Sequence, residues 1–241
     1  SFSRVLSGRF PEEVLLSHDL IEGAHVRVGL ASDIELYDEF PQDYPSYTGR
    51  QHRWIRGDWQ IADWILPRVP RPGGHRSPNP LSWFDRWKVF DNLRRSLIPA
   101  TSLALLIASW LVSSPMVWIS TLVVAVQMLF HPLVQPFTWA ITAKGLKVFS
   151  FSKVAHDLLR SVVEAALLPH QAWLTLDAIL RVCYRRLVSH RGLLEWASAQ
   201  VTQWNAPVRV RIFVILLGLA SVFSGIVGWT VQRWMPANLF V

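Results

Sequence analysis

The run from Ser96 to Ala143 contains no Lys, Arg, Asp or Glu, and its sole histidine is His131 beside Pro132. A bilayer crossing takes about 20 predominantly apolar residues. The run therefore predicts a transmembrane hairpin over 96–143, turning at Ser113-Ser114-Pro115. A second uncharged run, between Arg211 and Arg233, predicts a third crossing over 212–232. Its Gly218, Gly225 and Gly228 suit the close approach of another helix.

Charge is distributed to match. Residues 1–63 carry six basic and eleven acidic side chains, a net of −5, and the remainder of the chain carries a net of +12. The whole chain is 51% apolar and 17% charged, with a mean hydropathy of +0.25; an ordinary globular domain is about 25% charged. The cations flank the apolar runs: Arg86, Lys88, Arg94 and Arg95 before the first, Lys144, Lys147 and Lys153 after the second, Arg209 and Arg211 before the third. With no separate basic patch, a nucleic-acid partner is excluded and a lipid bilayer is expected. By the positive-inside rule the head and residues 144–211 are expected on the cytoplasmic side. The single Cys183 excludes an internal disulfide. A polar start without an initiator Met reads as a fragment beginning in mid-domain.

Residues 1–67 read as mixed α/β material. Val14-Leu15-Leu16 suits a buried strand, Asp19 to Leu30 a helix, and Asp33 to Phe40 an exposed strand or extended loop, with Pro41 and Pro45 breaking the chain. Residues 68–80 read as a Pro/Gly linker. In residues 81–95, Trp83, Phe84, Trp87, Phe90 and Leu93 recur at helical spacing among cations, which predicts an amphipathic interface helix. Residues 144–211 predict further amphipathic helices, with a stripe of Leu158, Leu159, Val162, Val163, Ala166 and Leu167 ended by Pro169. No chemistry is legible there. The scattered histidines suggest no metal site.

Two segments carry chemistry. The first is Ser17-His18-Asp19-Leu20-Ile21-Glu22, an acid after an apolar run; the second is Arg50-Gln51-His52-Arg53-Trp54-Ile55-Arg56-Gly57-Asp58-Trp59. Inverting sugar transfer needs a carboxylate to take the proton of the acceptor hydroxyl. It also needs cations for the departing diphosphate, and arginines make bidentate contacts to such groups. A Trp offers a flat face to a sugar ring. Either segment alone is weak evidence, since a lone Asp is often a helix cap and Arg-x-x-Arg a solvated face.

The pair, followed by apolar helices, resembles the processive glycosyltransferases of the cellulose and hyaluronan synthase type, whose (Gln/Arg)-x-x-Arg-Trp motif matches Arg50 to Trp54. Ser17-His18-Asp19, in place of Thr-Glu-Asp, looks like the bacterial periplasmic-glucan synthases. Gly8-Arg9-Phe10-Pro11-Glu12, His52 to Gln60, Asp91 to Ser96 and Leu168-Pro169-His170-Gln171-Ala172-Trp173 are similar to the cyclic β-1,2-glucan synthases. The resemblance implies the C-terminal part of a cytoplasmic GT-A domain, α/β in class, followed by an α-helical transmembrane region. It implies a multi-pass protein of the bacterial inner membrane that uses UDP-glucose, a glucan acceptor and Mg²⁺ or Mn²⁺, with the metal ligands upstream of Ser1. In this frame Asp19 is the general base. Arg50, Gln51, Arg53, Trp54 and Arg56 bind diphosphate and acceptor, with a lipid headgroup the alternative contact for Arg56; His18 orients the base or is a packed strand-end histidine, and Glu22 is its partner or a solvated acid. A fragment of this kind is expected to be inactive alone. A synthase of linear osmoregulated or other β-glucans is the competing enzyme, and a non-catalytic membrane anchor or transport subunit the competing class.

Overall fold

In a computed structural model, the structure describes residues 2–11, 14–15, 19–26, 29, 31–37, 41, 43–112, 114–141 and 151–195. They form α1 (Phe2–Leu6), α2 (Asp19–Val26), α3 (Tyr44–Gln60), β1 (Arg68–Pro70), β2 (Arg76–Pro78), α4 (Trp83–Val112), α5 (Ser114–Ile141), α6 (Phe151–Ala166) and α7 (Leu168–Tyr184). A 3₁₀ turn (Ala62–Ile65) follows α3, and a π turn (Arg185–Ser189) follows α7. The described residues divide into two compact units, 2–97 with 174–195 and 98–173.

The expected α/β class is overturned: the described elements are helices apart from one two-stranded hairpin. Val14 and Leu15 are not a strand, although Leu15 is buried. Leu15 is buried without a neighbouring strand among the described residues. Residues 33–37 form a turn and extended chain, with Ile34, Leu36 and Tyr37 exposed. Within 68–80, β1 and β2 pair antiparallel, with Val69 opposite Ser77. The tip is made by Gly73 and Gly74, at φ of 74° and 79°, a conformation that needs glycine.

In the first unit, α3 starts from a strong local signal. Asp43 caps it, its carboxylate accepting from the Ser46 amide and hydroxyl at 2.8 Å, and Pro45 occupies the first turn. Ile21 of α2, Ile61, Trp64, Val69, Leu81 and the α4 residue Val89 form one apolar core. Phe10 packs on Trp64 and meets His25 edge to face. Trp59 donates to Ser96 Oγ at 3.0 Å, and Asn92 donates to Asp58 at 3.1 Å, holding α3 against the start of α4.

In the second unit, α4 and α5 run antiparallel. Ser120 Oγ donates to Ser109 Oγ at 2.8 Å, and Ser102 Oγ donates to Gln127 Oε1 at 3.3 Å. Ser161 of α6 donates to the Met128 carbonyl of α5 at 3.1 Å. The expected transmembrane hairpin is corrected here: among the described residues no helix is long and apolar enough to cross a membrane. The run lacks charge but not polarity, since Ser102, Ser109, Ser120, Thr121, Gln127 and Gln135 interrupt it. The multi-pass placement in an inner membrane is overturned by the same finding. The third expected crossing, 212–232, lies outside the described residues.

Candidate functional site

Helix α3 carries the Arg-Gln-x-Arg-Trp residues. At 100° per residue, Arg50 and Trp54 share one face with Tyr47 and Gln51. The Arg50 guanidinium lies 4.7 Å from the centre of the Trp54 ring, and Trp54 is 45% exposed. Gln51 Nε2 donates to the Tyr47 hydroxyl. Arg53 is partly buried beside this face. The result is an exposed aromatic surface bordered by cations and an amide.

Arg56, expected among the substrate-binding residues, sits inside the unit at 8% exposure, and its Nη2 donates to the Glu195 carbonyl at 2.6 Å. Burial lowers its pKa, with Arg185 nearby adding to the effect. It belongs to a second face of α3, with His52 and Gln60 at intervals of four residues. His52 Nε2 lies 2.9 Å from Asp177 Oδ2, and Gln60 Nε2 donates to the Leu193 carbonyl at 2.9 Å. Asp63, past the end of α3, accepts from Arg186 at 2.8 Å and Arg76 at 3.2 Å.

Asp19 is the first residue of α2 and is exposed. Two residues on, Ile21 is fully buried against Trp64 and Ile61, so the core seating α2 also seats the end of α3. Among the described residues no hydrogen bond or ion pair joins Asp19 to Arg50, Arg53 or Trp54. Glu22 lies one turn beyond Asp19 and is partly buried. His18 lies outside the described residues. The described residues offer no group of three His, Cys, Asp or Glu side chains placed to hold a metal ion.

Sequence reasoning missed Asp177, Arg186 and the carbonyls of Leu193 and Glu195, which lie more than 120 residues from their contacts on α3. The one available signal was the polar stripe His52, Arg56, Gln60 on an otherwise amphipathic helix.

Burial lowers the His52 pKa from its ordinary 6.5, against the raising effect of Asp177. Burial raises Asp177, but the hydrogen bonds from Arg181 and His52 outweigh it and hold the carboxyl below 3.8. The folded protein thus binds the His52 proton less tightly than the unfolded chain. Stability from neutral His52 is fully present above about pH 6.5 and is lost as pH falls from there through the folded value. The Asp177 contribution is lost only in the lower window below 3.8. Thermal unfolding at pH 7.5 and 5.5 is expected to show a loss that His52→Gln reduces; an equal loss in that variant would refute it.

These features define a helical segment that presents an aromatic, cation-bordered face. Over an alignment of 243 residues covering 92% of the chain, 34% of positions are identical to the cyclic β-(1,2)-glucan synthase NdvB of Rhizobium meliloti (strain 1021). The chain spans 8% of the length of that relative. The resemblance read from the motifs is therefore borne out as a relationship to the cyclic glucan synthases over nearly the whole chain. No protein-family model matches the chain.

Proposed function

We propose that this chain is part of an inverting glucosyltransferase that builds a β-1,2-glucan from UDP-glucose, contributing the general base and the acceptor-facing helix. The observation that carries the reading is the exposed Trp54 ring with the Arg50 guanidinium 4.7 Å from its centre, inside the motif helix α3. The similarity to a synthase named for its cyclic β-(1,2)-glucan product supports the same reading.

In this reading the Asp19 carboxylate takes the proton of the acceptor hydroxyl. The acceptor oxygen bonds to the anomeric carbon of the donor from the opposite face, and the bond from that carbon to the diphosphate oxygen breaks, releasing UDP. Arg50 and Arg53 stabilise the charge on the departing diphosphate. Trp54 stacks on the acceptor sugar, and Gln51 supports the orientation of that face. Arg56 holds α3 from within. A divalent cation, Mg²⁺ or Mn²⁺, is assigned to no described residue.

The test is incubation of the full-length protein with radiolabelled UDP-glucose and either cation, followed by linkage analysis of the glucan. A β-1,2 product supports the reading, another linkage moves the protein to a sister synthase, and no incorporation overturns it. In the same assay Trp54→Ala is expected to raise the acceptor KM about tenfold, equivalent to about 1.4 kcal/mol. Trp54→Phe, which keeps a ring, is expected to lose less. An unchanged acceptor KM in Trp54→Ala would remove Trp54 from the acceptor site.

A further inference from the structure

We propose that the segment Asp177–Glu195 is a positioning element that sets the rotation and height of α3, and thereby places Trp54 against the acceptor and Arg50 and Arg53 against the departing diphosphate. The proposal rests on the function proposed for α3.

The contacts form a line. His52, Arg56 and Gln60 follow one another at four-residue spacing, so they stack along one side of the helix. They reach Asp177 Oδ2 at 2.9 Å, the Glu195 carbonyl at 2.6 Å and the Leu193 carbonyl at 2.9 Å. Arg186 adds a contact to Asp63 at 2.8 Å, just past the helix end. All four join parts of the chain separated by more than 120 residues. The character of the line matters more than its strength. Apolar contacts set the separation of two helices but let one roll on the other. A hydrogen bond fixes distance and direction together, and several along one helix leave it little freedom to rotate or slide.

The segment is shaped to make these contacts. Arg181 Nε donates to Asp177 at 2.7 Å, fixing the carboxylate that faces His52. After the π turn the chain reverses through His190 at φ 50° and Gly192 at φ 67°. At Gly192 a Cβ would also come within 3.3 Å of Glu195 Oε2 and 3.5 Å of Arg185 Cζ. Arg185 closes the turn by donating to the Gly192 carbonyl and to Glu195 Oε2 at 2.6 Å. This turn brings the Leu193 and Glu195 carbonyls back to α3.

Arg50 and Trp54 stand on the side of α3 away from this line, so rotation of the helix carries them directly off the diphosphate and the acceptor. A displacement of 1 Å can cost a positioned reaction about 10²-fold. None of the segment's side chains needs to touch substrate for this effect.

The test uses the full-length protein with Asp177→Ala, Asp177→Asn and Gly192→Ala. It measures kcat, acceptor KM, release of UDP without acceptor, and amide hydrogen exchange across residues 47–60. Asp177→Ala is expected to raise the acceptor KM about tenfold, the size expected for one lost charge-assisted hydrogen bond. Exchange in α3 should speed up, while acceptor-free UDP release, which lacks the Trp54 contact to the acceptor, falls by less than glucan synthesis does. Gly192→Ala should act in the same direction. Asp177→Asn keeps an oxygen that accepts from His52 and should recover most of the effect. Equal loss of every activity together with a lower melting temperature would reduce the segment to a structural support and overturn the proposal. So would an unchanged acceptor KM. Faster exchange in a protein whose wild type makes no glucan would overturn the role in sugar transfer, and would trace that failure to the functional reading.

Discussion

Asp19→Asn in the full-length protein is expected to lower glucan synthesis by about 10²–10⁴-fold, the usual contribution of a general base. The same substitution should leave thermal unfolding nearly unchanged. Asp19 is exposed at the start of α2, and its neighbour Ile21, not the carboxylate, anchors that helix. Asn also remains an acceptable residue near a helix N-terminus. A loss of activity without a loss of fold therefore separates chemistry from scaffolding. An Asp19→Asn enzyme with near-normal synthesis would remove Asp19 from the reaction.

The largest effect on stability is expected at the other end of the same core. Trp64 is 1% exposed and packs with Ile21, Ile61, Val69 and Phe10, while its carbonyl accepts from Asn79 Nδ2 at 2.7 Å. Trp64→Ala should cost about 3–5 kcal/mol, as other buried aromatic truncations do. Domain stabilities are about 5–15 kcal/mol, so a loss of this size unseats α2, the hairpin and the end of α3 together. Denaturant unfolding checks it, with Trp54→Ala as the control. Trp54 is half exposed, and its truncation should cost far less. A Trp64→Ala protein as stable as that control would show that the core does not centre on Trp64.

Parts of this architecture were legible in the sequence. The helix expected over Asp19 to Leu30 forms over Asp19–Val26, and the break at Ser113-Ser114-Pro115 separates α4 from α5. The stripe from Leu158 to Ala166 is helical in α6, and Pro169 falls in the first turn of the next helix. Other parts were misread for identifiable reasons. Pro45 was taken as a chain break, yet behind the cap of Asp43 it stands where proline favours a helix start. Absence of charge between Ser96 and Ala143 was taken as apolarity, although Ser102, Ser109, Ser120 and Gln127 on that run pair the helices. The apolar run at Val14 and Leu15 signalled burial, which Leu15 meets, but not the form of the chain there. The motif residues Arg50 and Trp54 were legible as a pair because they are local to one helix. The inward role of Arg56 was not, because its acceptor lies at Glu195. Sequence patterns report what a residue does within a turn or two; contacts across more than a hundred residues leave no such trace.

The serine contacts between α4 and α5 have a mechanical consequence. Ser102 meets Gln127 and Ser109 meets Ser120, two rungs of the same antiparallel ladder. Sliding one helix along the other by even one residue would break both rungs at once. The two contacts together therefore resist sliding of one helix past the other.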